Sequence, residues 1–98
     1  SNVVIMLLTK QTYFNMDILP PYDDYVSRIN QMIESEQLSV EQGIILCSCY
    51  KATLSETPVH INYLMSATNL GWKQINWMLN GLIQRGAIQK IEQKYYQV

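Results

Sequence analysis

The chain has 98 residues, with seven basic and eight acidic side chains and a formal net charge of −1 at pH 7. A chain of this length forms one domain, and folding buries about 60–65% of the surface that the unfolded chain exposes. Hydrophobic residues make up 48% of the sequence, which excludes an intrinsically disordered chain. The near-neutral balance excludes a strongly basic protein but not a protein with one basic face.

Positive charge is concentrated in the second half of the chain. Residues 54–98 contain four basic and two acidic side chains, whereas residues 1–53 contain three basic and six acidic ones. A nucleic-acid binder needs positive charge where it faces phosphate. Any such surface is therefore expected in residues 54–98.

Neither the cysteines nor the apolar N-terminal run indicates a membrane or an oxidising compartment. Cys47 and Cys49 would point roughly 200° apart on a helix and so cannot pair with each other. We expect two buried or half-buried thiols in a reducing cytoplasm, with a redox switch as the alternative. The apolar run at residues 3–8 is too short to span a bilayer and lacks the pattern of a signal peptide. The sequence thus predicts a cytoplasmic protein without a membrane partner.

The first half of the chain reads as three helices. Residues 3–19 mix strand and helix formers, and we expect a helix that ends at the two prolines 20–21. A second helix should begin at Asp23 or Asp24, run to about Glu36 and bury an apolar stripe. That stripe consists of Tyr25, Ile29, Met32 and Ile33.

A capping box marks the start of the third helix. Ser39 and Gln42 have the required spacing, and Leu38 stands where a hydrophobic staple would be. The helix that follows is apolar around most of its circumference, as expected of a central core helix. Its expected buried residues are Val40, Ile44, Ile45 and either Cys47 or Ser48.

The second half predicts a strand, two helices and a hairpin. Residues 57–60 suit a short strand, and a helix burying Ile61, Leu64 and Met65 follows. A turn ending at Gly71 leads to a helix over residues 72–84, and Gly86 then ends that helix. The hairpin should comprise strands 87–91 and 94–98, with a tight turn at residues 92–93.

This order of elements predicts a mainly α protein with a small β-hairpin, in the α+β class. We interpret it as a winged helix-turn-helix, in which residues 1–98 form one DNA-binding domain. The wing corresponds to residues 87–98. Residues 1–21 are expected to form a dimerisation segment.

One face of the helix over residues 72–84 is the candidate reader of DNA. Its core face should hold Ile75, Leu79 and Leu82, with Met78 and Ile83 partly buried. Asparagine and glutamine can bond adenine in the major groove, lysine can contact guanine or phosphate, and tryptophan can contact thymine methyl groups or stack on sugars. The alternative is a solvated polar face with tryptophans packed on neighbouring helices. The reader face comprises Lys73, Asn76, Trp77, Asn80 and Gln84, with Gln74 at its margin and Trp72 at its start.

Two lysines lie near the tip of the predicted hairpin. Lys90 and Lys94 are placed to contact phosphate, as the wings of such domains commonly do. The alternative is that a lysine on a short edge strand only discourages pairing with other strands.

Three pieces of the chain resemble the MarR family of winged helix-turn-helix regulators, including its SarA-like branch. Residues 38–42 (Leu-Ser-Val-Glu-Gln) resemble the family's Leu-Thr-x-x-Gln helix start. The turn 69–71 leads into Ile75, Leu79 and Leu82, and residues 84–88 (Gln-Arg-Gly-Ala-Ile) resemble Lys-Arg-Gly-Leu-Ile. The resemblance runs from about Tyr22 to Val98 and implies a dimeric DNA-binding regulator.

The sequence departs from that family at two places. Residues 91–94 (Ile-Glu-Gln-Lys) stand in place of a longer acidic and arginine-containing wing, so the family's minor-groove arginine is missing. The C-terminal helices that form the family's dimer have no counterpart in this sequence. Three expectations stay open: the sequence is a fragment of a longer protein, the protein pairs through its N-terminal segment, or it belongs to a different winged-helix branch.

No pattern in the sequence predicts an enzyme, a metal site or a cofactor. His60 is the only histidine and is expected to be structural. The two cysteines lack the further ligands of a zinc site, and no glycine-rich loop follows a strand. No side chain has the partners of an activated nucleophile.

We therefore predict a regulator of transcription that binds double-stranded DNA sequence-specifically as a homodimer. Two alternatives stay open: a winged helix that binds protein, and a module of the same fold that acts in replication or phage control.

Overall fold

The computed structural model describes residues 19–98, and they form four helices and three short strands. The predicted mainly helical α+β class is confirmed. The helix predicted over residues 3–19 falls outside the described part, except for Leu19, which belongs to the loop before the first described helix. The elements in chain order are α1 (Tyr22–Glu34), α2 (Val40–Leu54), β1 (Val59–His60), α3 (Ile61–Thr68), α4 (Trp72–Gln84), β2 (Gln89–Glu92) and β3 (Tyr95–Gln97).

Helix α1 is shorter at its end than the sequence predicted. It begins at Tyr22, one residue before the predicted start, with both aspartates in its first turn. It ends at Glu34 instead of Glu36, because Glu36 adopts a left-handed φ of 63° that reverses the chain. The predicted stripe is confirmed: three of its residues are buried, and Ile33 is half-buried.

The capping box at the start of α2 is confirmed. The Gln42 N–H donates to Ser39 Oγ at 3.1 Å, and the Ser39 N–H donates to Gln42 Oε1 at 2.9 Å. The predicted staple is wrong, because its helical partner position is occupied by Gly43, which has no side chain. Leu38 is buried in the domain core instead.

Helix α2 is buried on several sides, but the side that begins with Val40 is not. Ile45 is buried as predicted, together with a longer set of apolar residues. Val40 is 55% exposed, which contradicts the prediction that it belongs to the core. It starts a stripe that continues through the half-buried Ile44 and Cys47, on the outer side of the helix. The fully buried large residues of α2 are Ile45, Leu46, Cys49 and Tyr50.

Two contacts bring α1 and α2 close together. The Tyr25 and Tyr50 rings stack in parallel, with centroids 3.8 Å apart. The Tyr50 hydroxyl donates to the carbonyl of Pro20, which ties the start of α1 to α2. At Gly43, a Cβ atom would stand only 2.6 Å from Ile33 Cδ1, so a larger residue there would require the Ile33 side chain to shift.

The strands form one antiparallel sheet in the order β1-β3-β2. Val59 pairs with Tyr96 and His60 with Tyr95, so β1 adds a third strand to the predicted two-stranded hairpin. The Ile61 N–H donates to the carbonyl of Lys94 at 2.8 Å and joins the hairpin to the start of α3.

The hairpin turn lies one residue later than predicted. Its turn residues are Gln93 and Lys94, and Lys94 has a left-handed φ of 75°. The predicted turn at residues 92–93 is therefore wrong, because Glu92 still pairs with Tyr95. The register between Lys90 and Glu92 shifts, which leaves one extra residue as a bulge.

The hairpin returns to the core through its last residue. The Val98 N–H donates to the Cys49 carbonyl at 3.2 Å, and Thr53 Oγ1 donates to the Val98 carbonyl at 2.9 Å. Tyr96 and Val98 are both buried. The hairpin is thus fixed to the central helix at its end, and to the start of α3 at its turn.

Helices α3 and α4 are joined by the predicted turn. Asn69 ends α3 in the left-handed conformation, with φ of 57°, and Gly71 is the N-cap of α4. On α4, Ile75, Leu79 and Leu82 are buried as predicted. The orientation of α4 therefore follows from these three apolar side chains.

We expect Leu79→Ala and Leu82→Ala each to lower the free energy of unfolding by about 2–5 kcal/mol, since each leaves a cavity in the core. Chemical denaturation followed by circular dichroism measures the loss. Gln74→Ala, on the exposed side of the same helix, is the matched control and should stay within about 0.5 kcal/mol of the parent. Equal stability of all three variants would show that the buried face of α4 is misassigned.

Candidate nucleic-acid interface on helix α4

Helix α4 presents two large aromatic side chains to solvent. Trp72 is 55% exposed and Trp77 is 74% exposed. Within the described residues, neither tryptophan is packed into the core, which argues against the alternative that they are held between helices. Large exposed apolar side chains on a small domain usually mark a surface that contacts another molecule.

Polar side chains surround Trp77. At about 100° per residue, Lys73, Asn80 and Gln84 lie on the same side of α4 as Trp77, roughly opposite Leu82. All of them are exposed. Gln74 is exposed as well and lies at the margin of this face, as predicted. We call Lys73, Gln74, Trp77, Asn80 and Gln84 the α4 outer face.

Asn76 occupies a different position from the one predicted. It is half-buried, and its Nδ2 donates to the Trp72 carbonyl at 2.9 Å, one helical turn earlier. On the helix it lies only about 60° from Leu79, so it borders the core face. The prediction that Asn76 lies on the reader face is therefore wrong in part. Asn76 keeps its amide oxygen for an external partner, whereas Asn80 is exposed and has no such bond among the described residues.

The charged residues between Glu56 and Glu92 in the sequence are all basic. No acidic residue occurs between Glu56 and Glu92 in the sequence, whereas Lys73, Arg85 and Lys90 all lie in this interval. The acidic side chains of the described part instead lie mostly on α1, the following loop and the start of α2. The net charge of −1 is therefore unevenly distributed along the sequence, with most acidic residues in the first half and most basic residues in the second.

The predicted positions of the two hairpin lysines are confirmed in part. Lys90 is exposed on β2, and Lys94 is exposed in the turn instead of at the start of a strand. The structure also exposes Ile91 and Tyr95 on the hairpin, which the sequence analysis did not select. The bulge in β2 accounts for Ile91, since a shift in register alters the alternation of inward and outward side chains.

A depression of 430 Å³ lies beside Trp77. It runs between the second half of α4 and the start of α2, where Gln42 contributes. Asn80, Gln84 and Arg85 also line it, so a tryptophan, three amides and one guanidinium surround the same space. Groups of this kind can bind polar and planar partners, including nucleobases and peptide backbone.

The single histidine has a structural position. His60 is the N-cap of α3, and its Nδ1 accepts the Asn62 N–H at 3.0 Å. Its ring also meets Tyr95 edge-to-face, with centroids 5.0 Å apart. His60 therefore fixes the junction of β1, α3 and the hairpin.

The cysteines are free thiols whose burial suppresses their reactivity. Burial raises the pKa of Cys47 to about 11 and that of Cys49 to about 12. At neutral pH both are protonated, and protonated thiols are poor nucleophiles and poor metal ligands. Among residues 19–98, no group of three or more histidine, cysteine or carboxylate side chains is arranged to hold a metal ion.

No helix in the described part of the chain is long and apolar enough to cross a membrane. Comparison with protein families, with curated proteins and with solved structures finds no match to this chain.

Proposed function

We propose that this protein is a winged helix-turn-helix regulator of transcription that binds double-stranded DNA, with α4 in the major groove and the β2–β3 hairpin on the backbone. The observation that carries the proposal is the α4 outer face: an exposed tryptophan among exposed lysine, asparagine and glutamine, on a helix fixed by its opposite side.

The topology supports this proposal. From α2 onward the order is helix, strand, helix, turn, helix and hairpin, and the first strand pairs with the last one. In a helix-turn-helix, the second helix of the pair enters the major groove. That helix is α4 in this chain. The MarR-like pieces of the sequence lie in these same elements and agree with the assignment.

The chemistry of the α4 outer face suits base edges. Asn80 and Gln74 carry amides that can donate and accept together, which is the pattern that adenine presents in the major groove. Lys73 lies in the first turn of α4, where a recognition helix approaches the bases most closely. Trp72 and Trp77 can contact thymine methyl groups or sugars.

We further propose that the regulator is a homodimer. One recognition helix makes few phosphate contacts, and two-fold pairing of two such helices about 34 Å apart is the usual remedy. The N-terminal residues 1–21 are the proposed dimerisation segment. Two free thiols in the described part agree with a reducing compartment, and we propose the cytoplasm.

A protein-binding winged helix is the second candidate. Trp77 beside the 430 Å³ depression favours it, since a partner side chain can enter there. The two functions differ in their dependence on salt, because counterion release makes DNA affinity fall steeply with salt concentration.

Asn80→Ala is expected to remove sequence discrimination worth about 1–3 kcal/mol and leave the fold intact, because the side chain is exposed and lies on the α4 outer face. Asn76→Ala should have a smaller effect, since part of its amide is engaged by Trp72. Selection from random duplex DNA supplies the site, and fluorescence anisotropy compares it with a scrambled duplex. If selection enriches no sequence and bulk duplex does not bind at low salt, the protein does not act on DNA.

Lys90→Ala and Lys94→Ala are expected to weaken binding to all duplexes alike. Each change should lower the slope of log affinity against log salt by about one unit, since each removes one phosphate contact. Arg28→Ala is the matched control, because Arg28 is exposed on α1 and lines a depression formed only by α1 and the Pro20 before it. If the slope of log affinity against log salt is unchanged in both hairpin variants, these lysines do not contact phosphate. They would then only discourage the edge strand from pairing with other strands.

A further inference from the structure

An apolar groove lies on the outer side of α1 and α2, away from the α4 outer face. It has a volume of 210 Å³ and is lined mainly by Tyr22, Val26, Ile33, Val40, Ile44 and Cys47. The polar groups among its lining residues are the Asn30 amide, the Tyr22 hydroxyl and the Cys47 thiol. No described residue covers the exposed Val40.

Close approach of the two helices forms the floor of this groove. Gly43 of α2 faces Ile29 and Ile33 of α1, and a Cβ at Gly43 would stand 3.1 Å from Ile29 Cγ2. The floor therefore consists of the Gly43 backbone and the side chains of Ile29 and Ile33. An open apolar groove of this kind favours an apolar occupant, since binding removes both surfaces from water.

We propose that this groove binds the apolar run at residues 3–8 of a second copy of the chain. That run, Val-Val-Ile-Met-Leu-Leu, has no polar side chain. The inference deepens the homodimer proposed above and does not depend on DNA binding.

The length of the intervening chain allows this exchange. Residues 9–18 separate the apolar run from Leu19, and ten extended residues reach about 33–36 Å. The groove extends along α1 from Tyr22 to Ile33, which is about 17 Å of helix. The linker can therefore carry the run beyond its own domain to a neighbouring one.

The position of Pro20 favours a second copy over the chain's own groove. Pro20 lines a separate depression with Asp24, Ser27 and Arg28. On the helix those three residues lie roughly opposite the side that carries Val26 and Ile33. Pro20, which precedes α1, thus lies on the flank of α1 away from the groove. With a two-fold partner, each copy offers one apolar run and one groove, so the same contact fills both grooves.

Sedimentation equilibrium of the full chain tests the exchange. The unmodified chain should form a dimer at tens of micromolar, roughly the range of ordinary association. Leu7→Glu in the run and Val40→Glu in the groove should each raise the dimer dissociation constant at least about tenfold, or about 1.4 kcal/mol. Val40 is exposed and in the first turn of α2, where an acidic residue is compatible with the helix.

Gln31→Glu is the matched control, because it adds the same charge to the opposite flank of α1 and should leave the dimer unchanged. Circular dichroism confirms that each variant is folded. A monomeric unmodified chain, or a Val40→Glu chain that dimerises like the parent, would overturn the inference.

Disulfide trapping identifies the occupant. A cysteine is introduced in turn at Ile5, Met6, Leu7 and Leu8, each in a chain that also carries Cys47→Ala. Each variant is mixed with unmodified chain and oxidised with copper and oxygen, which takes two electrons from two thiols. The reaction is run at alkaline pH, because the raised pKa of Cys47 leaves too little thiolate at neutral pH. At least one variant should give a covalent heterodimer through the native Cys47, because that thiol lines the groove.

The single-chain version is the counter-test. If the same introduced cysteines, with Cys47 retained, close only an internal disulfide, the run occupies its own groove and the exchange is overturned. Both experiments omit DNA, so a failure of DNA binding leaves their outcome unaffected.

Discussion

Burial of α2 is the constraint on which the other elements depend. Leu46 and Cys49 have no exposed surface, and Tyr50 stacks on Tyr25 to fix α1. The Cys49 carbonyl accepts the Val98 N–H, which fixes the end of the hairpin to the same helix. A helix that is apolar on nearly all sides is stable only when other elements surround it. The outer stripe that begins at Val40 is the part of α2 that the described elements do not cover.

Packing against this core sets the position of helix α4. Three apolar side chains on one side are buried, which leaves the opposite side free of any packing role. The fold does not require Trp77 to be where it is, so this exposed side chain is free to contact another molecule. Charge is also separated along the sequence, because most acidic side chains of the described part lie on α1, the loop after it and the start of α2. Contact with a polyanion on one side and with a second copy on another would use both surfaces.

Much of the fold was predictable because strong local signals agree with the tertiary contacts. The capping box of Ser39 and Gln42 and the spacing of Ile75, Leu79 and Leu82 are examples. Errors arose where a tertiary contact or a backbone conformation decides. Val40 follows the apolar pattern but lies on an uncovered side, and Lys94 adopts a left-handed φ that moves the hairpin turn by one residue. Nothing in the local sequence shows that β1 pairs with β3, since the partners are more than thirty residues apart.

The candidate site was predictable to a similar degree. Composition and spacing selected Lys73, Trp77 and Asn80, which the structure brings together on one exposed face. Asn76 differs because its amide bonds the Trp72 carbonyl, a local bond that competes with external contacts. The depression beside Trp77 was not predictable, because Gln42 of α2 reaches it from a distant part of the sequence.

The two tryptophans offer the most direct test of the α4 assignment. Each indole N–H gives one signal in a proton–nitrogen NMR spectrum of the labelled protein, and replacing either tryptophan by phenylalanine assigns the signals. On titration with the selected duplex at low salt, the Trp77 signal is expected to shift strongly and the Trp72 signal to shift as well, while the amides of α1 stay in place. If duplex binds and neither indole signal moves, α4 is not the helix that contacts DNA.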